Sequence, residues 1–186
     1  MRKLVVFNHV SLDGYFVDAK GDMRWAHSND PEWNEFVAGN AKGGGVLVFG
    51  RVTYEMMASY WPTPMAAQNS PTVAENMNKM EKVVFSKTMD KATWNNTRLL
   101  KGDLAEEVRR LKAEAGLDMV MMGSGTIISQ LTQVGLVDEF QIVLTPTIVG
   151  SGRTLFEGVK DKIKLKLNSS RTFKNGNVFL TYEPAA

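Results

Sequence analysis

The sequence predicts one α/β domain over residues 1–186, with a mostly parallel central sheet, helices on both faces and antiparallel strands at the carboxyl end. Three observations predict it. Apolar runs of buried-strand length alternate with amphipathic helical stretches. Twice such a run meets glycine and then a helix start. The last part of the chain runs strand after strand instead. A length of 186 residues suits a single domain with a real core.

Residues 3–9, 46–49, 82–85 and 119–122 read as the central strands. Between them, Leu104, Val108, Leu111 and Ala115 recur at helical spacing, and Asp103 can cap that helix with Glu106 at its third position. A second helix carries Ile127, Ile128, Leu131 and Val134 on one face and ends at Gly135. A third begins near Arg51. Strand–helix–strand order implies right-handed crossovers between parallel strands. Residues 139–148, 163–173 and 178–182 break that order, and Asn175-Gly176 is a hairpin turn, so the last strands are expected as antiparallel additions. Residues 61–71, with Pro62, Pro64 and Pro71, read as a surface lid or linker.

Composition excludes several function classes. A net charge of +2 with scattered basic residues offers no stripe for nucleic acid. The absence of cysteine removes disulfides, thiolate zinc sites and thiol nucleophiles. His9 and His27 are the only imidazoles and lack helical i, i+4 spacing, so no metal is expected. The apolar run after Met1-Arg2-Lys3 is broken at Asn8 and His9, too early for a signal peptide, and no run reaches membrane-spanning length. The cytoplasm is the expected compartment and no membrane partner is expected.

The junctions at Phe49-Gly50-Arg51-Val52-Thr53 and Met122-Gly123-Ser124-Gly125-Thr126 carry the chemistry. A helix amino terminus presents unpaired N–H groups and partial positive charge, and glycine lets an anion approach. Two junctions at the carboxyl ends of parallel strands suit a pyrophosphate. Singly, each could serve chain reversal alone. Gly123 and Gly125 give G-x-G, but Ile128 stands at the third glycine position, so this is not a full dinucleotide fingerprint. A third strand ends at Ser86-Lys87. Cations suit a ribose 2′-phosphate, whereas a free 2′-hydroxyl is usually held by an acid, so Ser86, Lys87 and Arg51 favour NADPH over NADH, with Asp90 nearby opposing them. Charge-assisted bonds of about 1.5 kcal/mol each would make that preference on the order of 100-fold.

The segments SLDGYF (11–16), WAHSND (25–30), VFGRVTYEMM (48–57), VFSKT (84–88), GSGTIISQL (123–131) and LVDEF (136–140) resemble, in order, the dihydrofolate reductase-like superfamily. They most resemble the reductase domain at the carboxyl end of the riboflavin-biosynthesis deaminase-reductases. The resemblance implies a three-layer α/β/α fold, NADPH at the Gly50 and Gly123 junctions, and a homodimer. The deaminase half, whose zinc motif needs cysteines, is not expected, which would make this a free-standing reductase domain. Two departures concern the substrate: Met122 stands where these reductases carry Glu, and Ser124 replaces the second glycine.

Dihydrofolate reductases place a carboxylate five residues after a tryptophan to handle a proton beside the hydride acceptor. Trp25 and Asp30 match that spacing, although Asp30 before Pro31 also suits a turn or cap. The resemblance therefore implies Asp30 as the proton-handling residue and Asp13 as facing the substrate, with Tyr15, Phe16, Trp25 and Trp61 as candidate pocket walls because flat heterocycles favour aromatic surfaces. Gly50, Arg51, Thr53, Ser86, Lys87, Gly123, Ser124, Gly125 and Thr126 are expected to bind the cofactor. His9 is given no role. The segment 150–153 resembles one near the family's subunit contact, or is a plain turn. The expected function is NADPH-dependent reduction of a C=N or similar bond in a small pterin- or pyrimidine-like heterocycle. The alternative is an NADP(H)-binding sensor or carrier without turnover.

Overall fold

The structure, a computed structural model, describes residues 1–185. The chain opens with strand β1 (Leu4–Ser11), a short β2 (Tyr15–Asp18), a 3-10 turn (Arg24–Ala26) and helix α1 (Pro31–Lys42). Next come β3 (Val46–Gly50), α2 (Arg51–Tyr60), α3 (Pro64–Asn69), α4 (Pro71–Lys79), β4 (Glu81–Phe85) and β5 (Thr97–Leu100). Helix α5 (Leu104–Ala113), β6 (Met119–Met122), α6 (Gly125–Gln133) and β7 (Glu139–Thr145) follow. The chain closes with β8 (Gly152–Thr154), β9 (Leu165–Thr172) and β10 (Val178–Pro184).

Eight strands form one sheet in the order β5-β4-β3-β6-β1-β7-β10-β9. Neighbours from β5 to β7 are parallel, while β10 runs antiparallel to both β7 and β9. The expected antiparallel tail therefore begins at β10 and β9. Strand β7, grouped with the tail in the sequence, lies parallel to β1 because α6 carries the chain across β1 from β6. Strands β2 and β8, which periodicity did not reveal, pair separately as a two-stranded arm.

Both sheet faces are covered. On one, Val108 and Leu111 of α5 and Ile128 and Leu131 of α6 pack on Leu4, Val6, Met119 and Met121. On the other, Tyr54 of α2 and Met77 of α4 pack with Leu47, Phe49, Val84 and Trp94. A smaller aromatic group, Trp33, Phe36, Phe173 and Phe179, seats α1 on the antiparallel end. Lys82 is fully buried in β4, and its Nζ donates to the carbonyls of Met80, Asn95 and Asn78 and lies 4.4 Å from the Trp94 ring centre. Its charge is thus accommodated by carbonyl dipoles and a π face.

The helix signals behave as their chemistry dictates. Asp103 accepts the Glu106 amide at the start of α5. Helix α6 closes as a Schellman motif, with Gly135 at φ +67 and bonds from Gly135 N–H to Thr132 and from Leu136 N–H to Leu131. The segment 61–71 is a correction: it is no lid or linker, because Pro64 and Pro71 start α3 and α4 at the position where a missing N–H costs nothing. Ala66 there is fully buried.

Candidate functional site

The carboxyl ends of β3 and β6 are neighbours, so the helices that leave them, α2 and α6, start side by side. Ser124 ties the two starts together. Its Oγ accepts the Gly50 N–H at 2.7 Å and donates to Thr53 Oγ1 at 2.9 Å. Ser124 does this from a left-handed backbone, φ +64 and ψ +59, directly after Gly123 at φ +69. That conformation costs about 1–2 kcal/mol for a residue with a Cβ. Asn8 Oδ1 then fixes the turn to β1 by accepting the Gly123 N–H at 2.9 Å.

The approach leaves no room for larger residues. A Cβ on Gly50 would lie 2.9 Å from both Ser124 Oγ and Ile127 Cδ1, and one on Gly123 would lie 2.9 Å from Thr53 Cγ2. Neither α2 nor α6 has a side-chain cap or an acid in its first turn. Helices α1 and α5 have both: Asp30 with Glu32, and Asp103 with Glu106 and Glu107. The two paired helix starts thus keep their positive ends uncompensated by side chains, and Arg51 adds a further positive charge.

These starts form one wall of a cavity of about 310 Å³. Phe7, Phe16, Met23, Met56, Met57 and Met122 supply much of the rest, a flat and adaptable apolar surface. Among the described lining residues the ionisable groups are His9, Arg51 and Arg153, and none is a carboxylate. Burial, and then the charge of His27, push the His9 imidazole down to about 4, so it stays neutral near pH 7. Its Nδ1 lies 3.2 Å from Thr145 Oγ1. Asn8, 7% exposed, has a buried Nδ2 without a hydrogen-bond partner.

Of the residues expected at a cofactor site, Gly50, Arg51, Thr53, Gly123, Ser124, Gly125 and Thr126 line this cavity together. Ser86 and Lys87 do not line it. Phe85 pairs with Gly50 across β3 and β4, so they lie just beyond, beside the α2 start, where Ser86 Oγ accepts the Thr88 and Met89 amides. The Arg51 guanidinium bonds Glu55 at 3.1 Å, an exposed pair that contributes little and can open.

The candidate substrate residues lie elsewhere. Asp30 caps α1, accepting the Trp33 amide at 2.8 Å, and is not in the cavity wall. Asp13 accepts the Val149 and Gly150 amides and the Ser11 hydroxyl, and these bonds, Val149 first, hold its carboxyl at about 2. Tyr15 and Trp25 also lie outside the lining, and Trp25 Nε1 donates to the Asp22 carbonyl. Phe16, a candidate wall, does line the cavity, whereas Trp61 does not, and sequence reasoning passed over Asn8 and Arg153 as wall residues. Asn8 left a readable signal, an amide directly after the apolar run Leu4–Phe7.

The model of the RibD C-terminal domain matches residues 2–179. The chain belongs to that family. The uncharacterized protein YyaP of Bacillus subtilis (strain 168) is 28% identical over 182 residues, 97% of this chain and 94% of YyaP. A putative riboflavin biosynthesis protein from Shewanella sp. PV-4 superposes with a TM-score of 0.76 at 24% identity, over 99% of each chain. A dihydrofolate reductase from Enterococcus faecalis, solved with NADP(H) and RAB-propyl, superposes with a TM-score of 0.65 at 13% identity, covering 99% of this chain and 97% of the reductase. This RibD C-terminal domain thus has the dihydrofolate reductase-like fold, as the ordered motifs implied. No helix among the described residues is long and apolar enough to cross a membrane.

Proposed function

We propose that this chain is an NADPH-dependent reductase acting on a small flat heterocycle. The family and the dihydrofolate reductase-like neighbours point to a reductase-type oxidoreductase. The observation that carries the finer reading is the pair of uncapped helix starts, locked together by Ser124 and opening on one apolar-walled cavity.

The residues suit a dinucleotide. The Gly50 and Gly123 turns form a cradle that a Cβ would fill, and the first-turn amides of α2 and α6 are free of side-chain caps. Thr53, Ser124 and Thr126 hydroxyls stand at the same edge. On this reading Arg51, together with Ser86 and Lys87 just after β4, would face a 2′-phosphate beside the α2 start. When bound, NADPH supplies a hydride. The chain's own part is to orient the ring against Phe7, Phe16 and the methionines and to exclude water from it.

A second reading keeps the site and removes turnover, leaving an NADP(H) sensor or carrier. The absence of a carboxylate from the described lining favours it, because no acid there stands ready to deliver a proton. Thermal stabilisation by NADPH, NADH and FMN side by side tests the cofactor, since a specific ligand raises stability by mass action. A rise with NADPH exceeding the other two is expected; equal or absent shifts refute the site. NADPH oxidation across pterins and related imines then separates the enzyme from the carrier. The pairing of two copies is a further proposal, supported by the edge strand β9, exposed along its whole length with Leu165 and Leu167 outward. Light scattering should give twice the chain mass.

A further inference from the structure

The cation distribution around α6 is unusual for a helix start with nothing beside it. Arg153 extends from β8 so that its Nη2 donates to Thr126 Oγ1 at 3.2 Å, in the first turn of α6. It therefore stands by the positive end of the helix dipole, where a cation is unfavourable unless an anion lies between. Its nearest carboxylate, Glu157, is 4.0 Å away, and both side chains are more than half exposed. No acid and no side-chain cap sits in that first turn.

The position of Arg153 is built, not incidental. Val17 pairs with Arg153 across the β2–β8 arm. Phe16, next to it, presses on Gly125 so closely that a Cβ there would lie 2.9 Å from the ring. The arm is thereby seated on the α6 start. Asn8, which lines the same cavity, has a buried Nδ2 without a hydrogen-bond partner, and its Oδ1 holds the Gly123 amide at the turn into α6. An unsatisfied donor in the cavity wall, an uncompensated helix end and a guanidinium with no carboxylate in close contact together suit an acceptor-rich ligand.

We propose that Arg153 grips the diphosphate of the bound dinucleotide, acting across α6 from the amides of the Gly123 turn. This rests on the dinucleotide reading above and adds a division of labour. Arg153 holds the part shared by NADPH and NADH, while Arg51 and Lys87 face the part that differs. The test is equilibrium binding of NADPH and of NADH to wild type, Arg153→Gln and Arg153→Lys, with thermal unfolding of each unliganded variant as a control. Arg153→Gln should weaken both ligands by the same factor, about tenfold or more, and flatten the fall of NADPH affinity with salt. Arg153→Lys should recover part of the loss, because charge returns without the planar fork. Unchanged binding in both variants overturns the inference while the dinucleotide reading stands. A loss confined to NADPH also overturns it, since Arg153 would then read the 2′-phosphate. Wild type that takes up neither ligand overturns the dinucleotide reading and the inference with it.

Discussion

Ser124 offers the sharpest test of how the two helix starts are held. Replacing it with alanine keeps the Cβ and the left-handed backbone but removes the acceptor for the Gly50 amide and the donor to Thr53. At roughly 1 kcal/mol for each partly buried bond, Ser124→Ala should cost about 2 kcal/mol. For a domain of this length that is a fall of about 4–8 °C in Tm. Ser124→Gly loses the same bonds but also relieves the positive-φ strain, worth about 1 kcal/mol, so it should be the more stable of the two. Differential scanning calorimetry on the three proteins gives the order directly. The expected ranking is wild type, then Gly, then Ala. An alanine variant within 1 °C of wild type, or less damaging than the glycine variant, would show that the bridge does not hold the starts together. NADPH affinity should fall in both variants, since separated helix ends address one diphosphate less well.

Three further outcomes are expected. His9 has a folded pKa of about 4 against 6.5 when unfolded, so between those values the unfolded chain carries more protons and stability falls as pH drops from 6.5 to 4. That group alone accounts for about 3 kcal/mol across the window, and urea titrations of wild type and His9→Gln should show a shallower pH dependence in the variant. Arg51→Ala should narrow the gap between NADPH and NADH affinity, measured by fluorescence titration; equal losses for both would reassign it to the diphosphate. Asp30→Asn preserves a capping oxygen for Trp33 N–H and should leave stability nearly unchanged, while Asp30→Ala should cost about 1 kcal/mol. On a verified substrate, depressed turnover in the asparagine variant at neutral pH would bring Asp30 into the chemistry, whereas equal turnover leaves it as a cap.

The parallel core was legible because its information is local. Residues 46–49 and 119–122 are continuous apolar runs, and the glycine after each announces the turn whose closeness the structure then requires at Gly50 and Gly123. The helix ends at Asp103 and Gly135 were legible for the same reason. Prolines misled the reading of residues 61–71, since a proline that breaks a helix from within also starts one, and only the burial of Ala66 distinguishes the cases.

The limits at the site are of another kind. Arg153 reaches the cavity only through the pairing of β2 with β8, a contact between segments far apart in the chain, and neither short strand has a hydrophobic period to announce it, whereas Phe16 was legible as a wall from its aromatic ring in the SLDGYF segment. Carboxylates were harder still, because a sequence cannot say which unpaired amides a given Asp will find. Asp30 precedes a proline and accepts the amide at Trp33; Asp13 follows β1 and accepts those of Val149 and Gly150. Each bond satisfies a donor that folding would otherwise leave exposed to competition, so both acids are fixed by backbone needs before any ligand arrives. Among the described residues α2, α4 and α6 start without a side-chain cap, and of these the starts of α2 and α6 line the cavity, so their amides are the ones left for a ligand there. What the site will bind thus follows less from the polar side chains present than from the capping side chains that the two helices at the cavity lack.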